Sequence, residues 1–164
     1  HLEFRDAAAE ALPAGCDAAP RVRDAGLVCL AADAFGGASK LLELTRAHVS
    51  SRQQFGFPLA QFQSVKHQLA NLATDLEPTR GLWWFAAHAQ DHVAEEAERS
   101  AAVAKAHVTE RAVAIARGAV ELHGGIGFTW ECDVQFWFKR ALFDRIVLGD
   151  PAHHRERCAR LAGW

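Results

Sequence analysis

Apolar residues recur at steps of three and four along most of this chain, the spacing that lines one face of an α-helix. Leu27, Leu30, Ala34, Ala38, Leu41 and Leu44 mark a first helix from about Arg21 to about Arg52. Gly36 and Gly37 in its middle cost about 1 kcal/mol each and let a neighbouring backbone come close. Gly56 and Pro58 break the period, so 53–60 is expected to be a connecting loop. Phe62, Val65, Leu69, Leu72 and Leu76 carry a second helix, which Pro78 should kink or break before the Trp83-Trp84-Phe85 trio, expected as core packing. The charged run from about Asp91 to Ser100 suits an exposed helix–helix connection. Ala101, Ala104, Val108, Ala112, Ile115, Ala119 and Leu122 then form a narrow stripe of small residues, which predicts a third helix central to the bundle. Thr129 is expected as a cap for a fourth helix through Val134, Trp137, Phe138, Ala141 and Leu142. Asp150-Pro151 reads as the start of a last helix over about 151–162. Residues 1–20 show no helical stripe and read as an extended segment. The expectation is an all-α, antiparallel four-helix bundle over 21–164, with one helix kinked and a short extended stretch before it.

Composition narrows the function classes. The 164 residues suit one domain, and 18 basic against 20 acidic side chains leave no basic stripe for nucleic acid. No apolar run is expected to reach the length of a membrane span, and no signal peptide opens the chain, which predicts a cytoplasmic protein. Cys16, Cys29, Cys132 and Cys158 are scattered without a C-x-x-C pair, so reduced thiols are expected rather than zinc or a disulfide framework. No methionine occurs, even at position 1, which predicts a piece of something longer.

Glu121-Leu122-His123-Gly124-Gly125-Ile126-Gly127-Phe128 ends the third helical pattern with three glycines in four residues, bringing bare backbone to a surface. Some sixty residues earlier, Arg52-Gln53-Gln54-Phe55-Gly56-Phe57-Pro58-Leu59-Ala60-Gln61-Phe62-Gln63 follows the first helix. His88 and His92 share a helix face at a spacing that can bind metal, but with no third ligand they read as surface histidines. His153-His154-Arg155, in the first turn of the last helix, could touch an anion or form an exposed polar end.

The two longer motifs together resemble the C-terminal helical domain of the flavin-dependent acyl-CoA dehydrogenases, whose pattern reads R-x-x-F-G-x-x-L-x-x-x-Q, then a long alanine-rich helix, then Q-x-x-G-G-x-G-[FY]. The resemblance covers about 21–150. It implies FAD as cofactor, an acyl-CoA substrate in the full-length protein, and a homo- or hetero-oligomer, a dimer of dimers built through the bundle. By the same resemblance residues 1–20 are the remnant of a preceding β-domain or linker. Arg52 would meet the pyrophosphate of a neighbouring subunit's FAD, Phe55 would pack near the adenosine, and Gln54 and Gln63 would supply hydrogen bonds. Gly124 and Gly125 would let the chain approach the cofactor. Glu121 stands where the family has glutamine, so a donor and acceptor becomes a pure acceptor.

The larger departure concerns the catalytic base, a carboxylate that removes a proton beside the thioester carbonyl. Leu148 falls on the family's usual glutamate, and Gly26 falls on its alternative position at the start of the first helix. Leu27 replaces an arginine for the coenzyme A portion. Asp150 is a weak candidate base, better read as a cap, and Asp24 and Asp33 are weaker still. The chain therefore resembles the base-lacking subunit of those bacterial members that assemble from two different chains. The alternative is a non-catalytic bundle that stabilises a catalytic chain.

Overall fold

The computed structural model describes residues 3–10 and 18–164. Residues 3–10 form neither helix nor strand, as expected, and the rest of the expected extended segment up to residue 17 lies outside the described residues. The first helix, α1, runs Ala18–Ser51, three residues earlier than its apolar stripe predicts. Leu27, Ala31, Ala34, Ala38 and Leu41 supply its buried face.

A two-residue hairpin follows. β1 (Gln53–Gln54) pairs antiparallel with β2 (Phe57–Pro58), Gln53 facing Pro58 and Gln54 facing Phe57, so the expected loop is in part a small sheet. After a 3₁₀ turn at Leu59–Gln61, α2 spans Gln63–Leu76 and α3 spans Thr79–His92. Pro78 breaks the pattern between α2 and α3. It is compatible with the helical φ it holds there, but it has no N–H to continue the ladder. α4 runs Ala94–His123 and ends in a 3₁₀ turn at Gly124–Phe128; α5 covers Val134–Ile146 and α6 Pro151–Leu161.

α1, the α2–α3 pair, α4 and α5 make the up-and-down bundle, and α6 lies along α4. α4 is its centre: Ala101, Ala104, Val108, Ala112, Ile115 and Ala119 are all buried, and small side chains let α1, α3, α5 and α6 pack against it. α2 is peripheral, with Leu76 its only buried residue. It meets α4 at Gly118, where an added methyl would lie 2.8 Å from Leu72 Cδ2.

Several sequence expectations are corrected. The 91–100 run is not a connection, because α4 starts at Ala94 and only Val93 interrupts the helices. Glu95 and Glu96 lie in α4's first turn, where acidic side chains complement the positive helix end, so this charge marks a helix start. Of the aromatic trio only Trp83 packs on the core; Trp84 and Phe85 are about half exposed, since three consecutive residues spread over about 200° of a helix. Thr129 does not cap α5 and instead donates its hydroxyl to the Ile126 carbonyl at 2.9 Å. Gly37 admits the Trp137 indole rather than a backbone: a methyl there would lie 3.4 Å from the ring. α1 is, by length and composition alone, long and apolar enough to cross a membrane, because its alanines raise the average without making a lipid-facing surface. Its buried stripe lines the core, and α1 is a core helix.

Candidate cofactor site

The C-terminal ends of α1 and α4 meet at one end of the bundle. The His48 and His123 rings stack there, centroids 4.3 Å apart and planes inclined by 23°. Each helix runs directly into one of the two motif segments, so the fold brings together what the sequence separates by some sixty residues.

Beyond α1, the Leu59 amide donates to the Arg52 carbonyl at 2.8 Å and closes the hairpin. Its two loop residues, Phe55 and Gly56, have φ of 54° and 83°. Positive φ at both positions is the type I′ geometry that matches strand twist, but an aromatic residue held there costs on the order of 1–2 kcal/mol. Phe55 gains little in return from its own chain. It is 87% exposed and pairs with the Phe62 ring edge-on, with centroids 6.2 Å apart. A strained backbone that holds an aromatic ring out in solvent is a feature of recognition surfaces. Arg52 is exposed and, among the described residues, has no ion pair or side-chain hydrogen bond. Gln54 is exposed, and exposed Gln63 has its Nε2 3.2 Å from His67 Nε2.

The three glycines of the turn after α4 differ in what they do. Gly127 is structural: a methyl on it would strike the Val120 carbonyl at 2.8 Å. Gly124 adopts φ 65°, ψ −145°, a conformation only glycine holds readily, and it ends α4. Gly125 needs neither reason, for it has no unusual φ and a methyl on it would meet nothing within 4 Å. Gly124 and Gly125 present open, exposed backbone. Glu121, one turn earlier, accepts a long 3.5 Å hydrogen bond from Gln68 Nε2. An unpaired guanidinium, an exposed ring and bare backbone at one surface fit an anionic, aromatic-bearing cofactor such as a dinucleotide.

At the opposite end, Gly26 and Leu148 are neighbours: a methyl on Gly26 would lie 3.1 Å from Leu148 Cδ1. The two positions that the sequence resemblance assigns to a base are thus adjacent in the fold, and neither holds an acid. Leu148 and Gly149 have φ of 60° and 106°, turning the chain between α5 and α6. This turn is held from below by groups the sequence reading missed. Lys105, fully buried, donates from Nζ to the Gly149 carbonyl at 2.8 Å and the Arg145 carbonyl at 3.1 Å. Burial pushes its pKa down to about 8, against the pull of Asp144 and Asp150. Asp144 is fully buried with neither carboxylate oxygen hydrogen-bonded, and burial, with the Asp33 carboxyl beside it, pushes its pKa up to about 7. His154 is buried rather than placed to meet an anion; its Nε2–H donates to the Leu148 carbonyl at 3.0 Å, and burial lowers its pKa to about 4. Lys105 falls in the register of Ala101, Val108 and Ala112, and Asp144 in that of Val134, Trp137 and Ala141. A charge on an apolar stripe was the available signal.

The remaining candidates have structural roles. Asp150 Oδ1 accepts the His153 amide at 2.9 Å, a helix cap, and that bond holds its pKa below the usual carboxylate range. Buried Asp24 pairs with Arg157 at 2.7 Å, and Asp33 with Arg140 at 2.5 Å. Leu27 is fully buried. His88 and His92 are exposed, and no group of three metal-ligating side chains exists among the described residues. Cys29, Cys132 and Cys158 are free thiols.

The described residues thus form a helical bundle with the exposed motif residues at one end and a clasped turn at the other. The family model "Acyl-CoA dehydrogenase, C-terminal domain" matches residues 14–162, and this chain belongs to the acyl-CoA dehydrogenase family. Acyl-CoA dehydrogenase IpdE2 of Mycolicibacterium smegmatis is 38% identical over 138 residues, which are 84% of this chain and 42% of that protein. The structure of butyryl-CoA dehydrogenase from Megasphaera elsdenii superposes with a TM-score of 0.86 at 27% identity, covering 92% of this chain and 39% of that one. A Tcur3481-Tcur3483 steroid ACAD variant gives 0.85 at 31% identity, covering 91% and 41%. The chain thus spans about two fifths of the length of these relatives, which are oxidoreductases of a family that uses FAD.

Proposed function

We propose that this chain is the FAD-contacting, oligomer-forming C-terminal domain of an acyl-CoA dehydrogenase subunit that carries no catalytic base of its own. The observation that carries the reading is the pairing of the strained Phe55-Gly56 turn and unpaired Arg52 with the open Gly124-Gly125 backbone at one end of the bundle. Arg52 forks onto the pyrophosphate, the Phe55 ring packs against the adenosine, and Gln54, Gln63 and Glu121 flank the dinucleotide with polar groups. Gly124 and Gly125 let it approach without side-chain clash. FAD, when bound, supplies the acceptor for hydride in the α,β-dehydrogenation of an acyl-CoA thioester.

From Gly26 to Ser51, next to Arg52, α1 rises about 38 Å, at 1.5 Å per residue. This separation agrees with one chain serving two flavins, its own near Leu148 and a neighbouring subunit's at Arg52. The Gly26–Leu148 contact supports a two-chain assembly, because a proton must be taken by a carboxylate that another chain provides. The paired name of the Tcur3481-Tcur3483 relative agrees with this.

The test is to purify the full-length polypeptide carrying this chain, alone and with its candidate partner, and to record the flavin spectrum and acyl-CoA turnover. Bound flavin and turnover only in the mixed complex are expected. Flavin and full turnover in the lone chain would refute the two-chain reading.

A further inference from the structure

The helices that lead into the two halves of the proposed dinucleotide grip meet at the His48–His123 stack. His48 sits in the last turn of α1, four residues before Arg52; His123 is the last residue of α4, next to Gly124. The His123 Nδ1–H donates to the Ala119 carbonyl at 2.7 Å, which fixes that ring on its helix and leaves Nε2 free to take a proton. Both rings line a 240 Å³ pocket floored by Leu44 and Val134.

The charges around the stack act in both directions. Glu131 and Asp133 line the same pocket beside the Cys132 thiol, and both helix C-termini favour a cation. Arg52 and the His123 ring oppose one on His48. For His48 burial is the largest effect, followed by His123 and then Arg52, and together they hold its pKa below the ordinary histidine value. A stack of two neutral rings, or of one neutral and one charged, is attractive. Two imidazolium rings with centroids 4.3 Å apart repel.

We propose that the His48–His123 stack is the positioning contact that sets the Arg52 hairpin against the Gly124-Gly125 turn, and that protonation of both rings separates them and releases the flavin. The inference rests on the dinucleotide grip proposed above. It assigns the two histidines no contact with substrate; they act through the segments they join.

The test measures FAD affinity of the full-length protein, in its complex, by equilibrium dialysis between about pH 7.5 and about pH 4.5, because His48, with its lowered pKa, takes its proton below the ordinary histidine range. Wild-type affinity is expected to fall by about tenfold across that range. His48→Phe combined with His123→Phe keeps an aromatic stack without charge, and its affinity is expected to stay level within about twofold. A wild-type affinity that does not change with pH overturns the proposal, whatever the variant does. So does a double variant that keeps the wild-type fall. Arg52→Ala separates the two levels of inference. If it binds FAD as wild type does at neutral pH, the grip itself is wrong. If it loses FAD while the phenylalanine pair keeps the wild-type pH profile, only the role of the stack is wrong.

Discussion

Adding one methyl group at Gly125 and, separately, at Gly127 distinguishes a cofactor surface from a packing site within three residues. On Gly127 the new carbon would lie 2.8 Å from the Val120 carbonyl oxygen and 3.3 Å from Val120 Cα, backbone atoms in the last turns of α4 that have no room to retreat. Overpacking of this kind costs about 1–3 kcal/mol and lowers the melting temperature. On Gly125 the carbon meets nothing within 4 Å, so Gly125→Ala should leave stability within about 0.5 kcal/mol of wild type. If a dinucleotide lies against this backbone, the same methyl falls inside the contact, and a clash of about 1–3 kcal/mol weakens FAD by roughly fivefold to a hundredfold. Thermal denaturation and FAD dialysis on the full-length protein read the two effects apart. A Gly125→Ala protein that melts and binds FAD as wild type does would refute the assignment of this turn to the cofactor.

Three further outcomes follow from the rest of the molecule. Arg157→Met strands the Asp24 carboxylate, each side chain being 7% exposed in the pair, but Arg23 remains 3.0 Å away. The cost in a urea titration is expected at the low end for a broken buried pair, about 3 kcal/mol, and less than additive with Asp24→Asn. Asp144 has its pKa raised from 3.8 to about 7, so the folded state holds a proton that the unfolded state has lost, and stability falls as pH rises through that window. Asp144→Asn should therefore melt above wild type at about pH 8 and converge with it near pH 4; a difference that does not vary with pH contradicts this. Leu148→Asn suits the left-handed φ of 60° and removes no proton acceptor, so kcat in the complex should change by less than about threefold, where loss of a true base costs about a hundredfold or more.

Much of the fold is legible in the sequence because helical burial repeats every 3.6 residues. The stripe from Ala101 to Leu122 marks the central helix, and Asp150-Pro151 marks the start of α6. The failures have physical causes. A run of acidic residues reads alike whether it is a linker or a solvated first helical turn, and only the backbone of α4 decides between them. Consecutive aromatics cannot all face one way on a helix, so Trp84 and Phe85 are exposed although Trp83 is packed. Lys105 and Asp144 stand in apolar registers, but their burial depends on α5 and the turn after it packing against α1 and α4, a tertiary contact that local spacing does not encode. At the proposed cofactor surface the two motifs can be picked out in the sequence, whereas the strain at Phe55 and the different surroundings of Gly124, Gly125 and Gly127 depend on backbone angles and neighbours.

The most direct measurement is the FAD dissociation constant of the full-length protein, in its complex, with Arg52 intact and with Arg52→Ala. Arg52 makes no ion pair among the described residues, so its removal costs the fold little, and any large effect is on the ligand. Losing a charge-assisted hydrogen bond of about 1.5–3 kcal/mol predicts FAD binding weakened by roughly tenfold to a hundredfold. An unchanged dissociation constant would contradict the claim that this end of the bundle holds the dinucleotide.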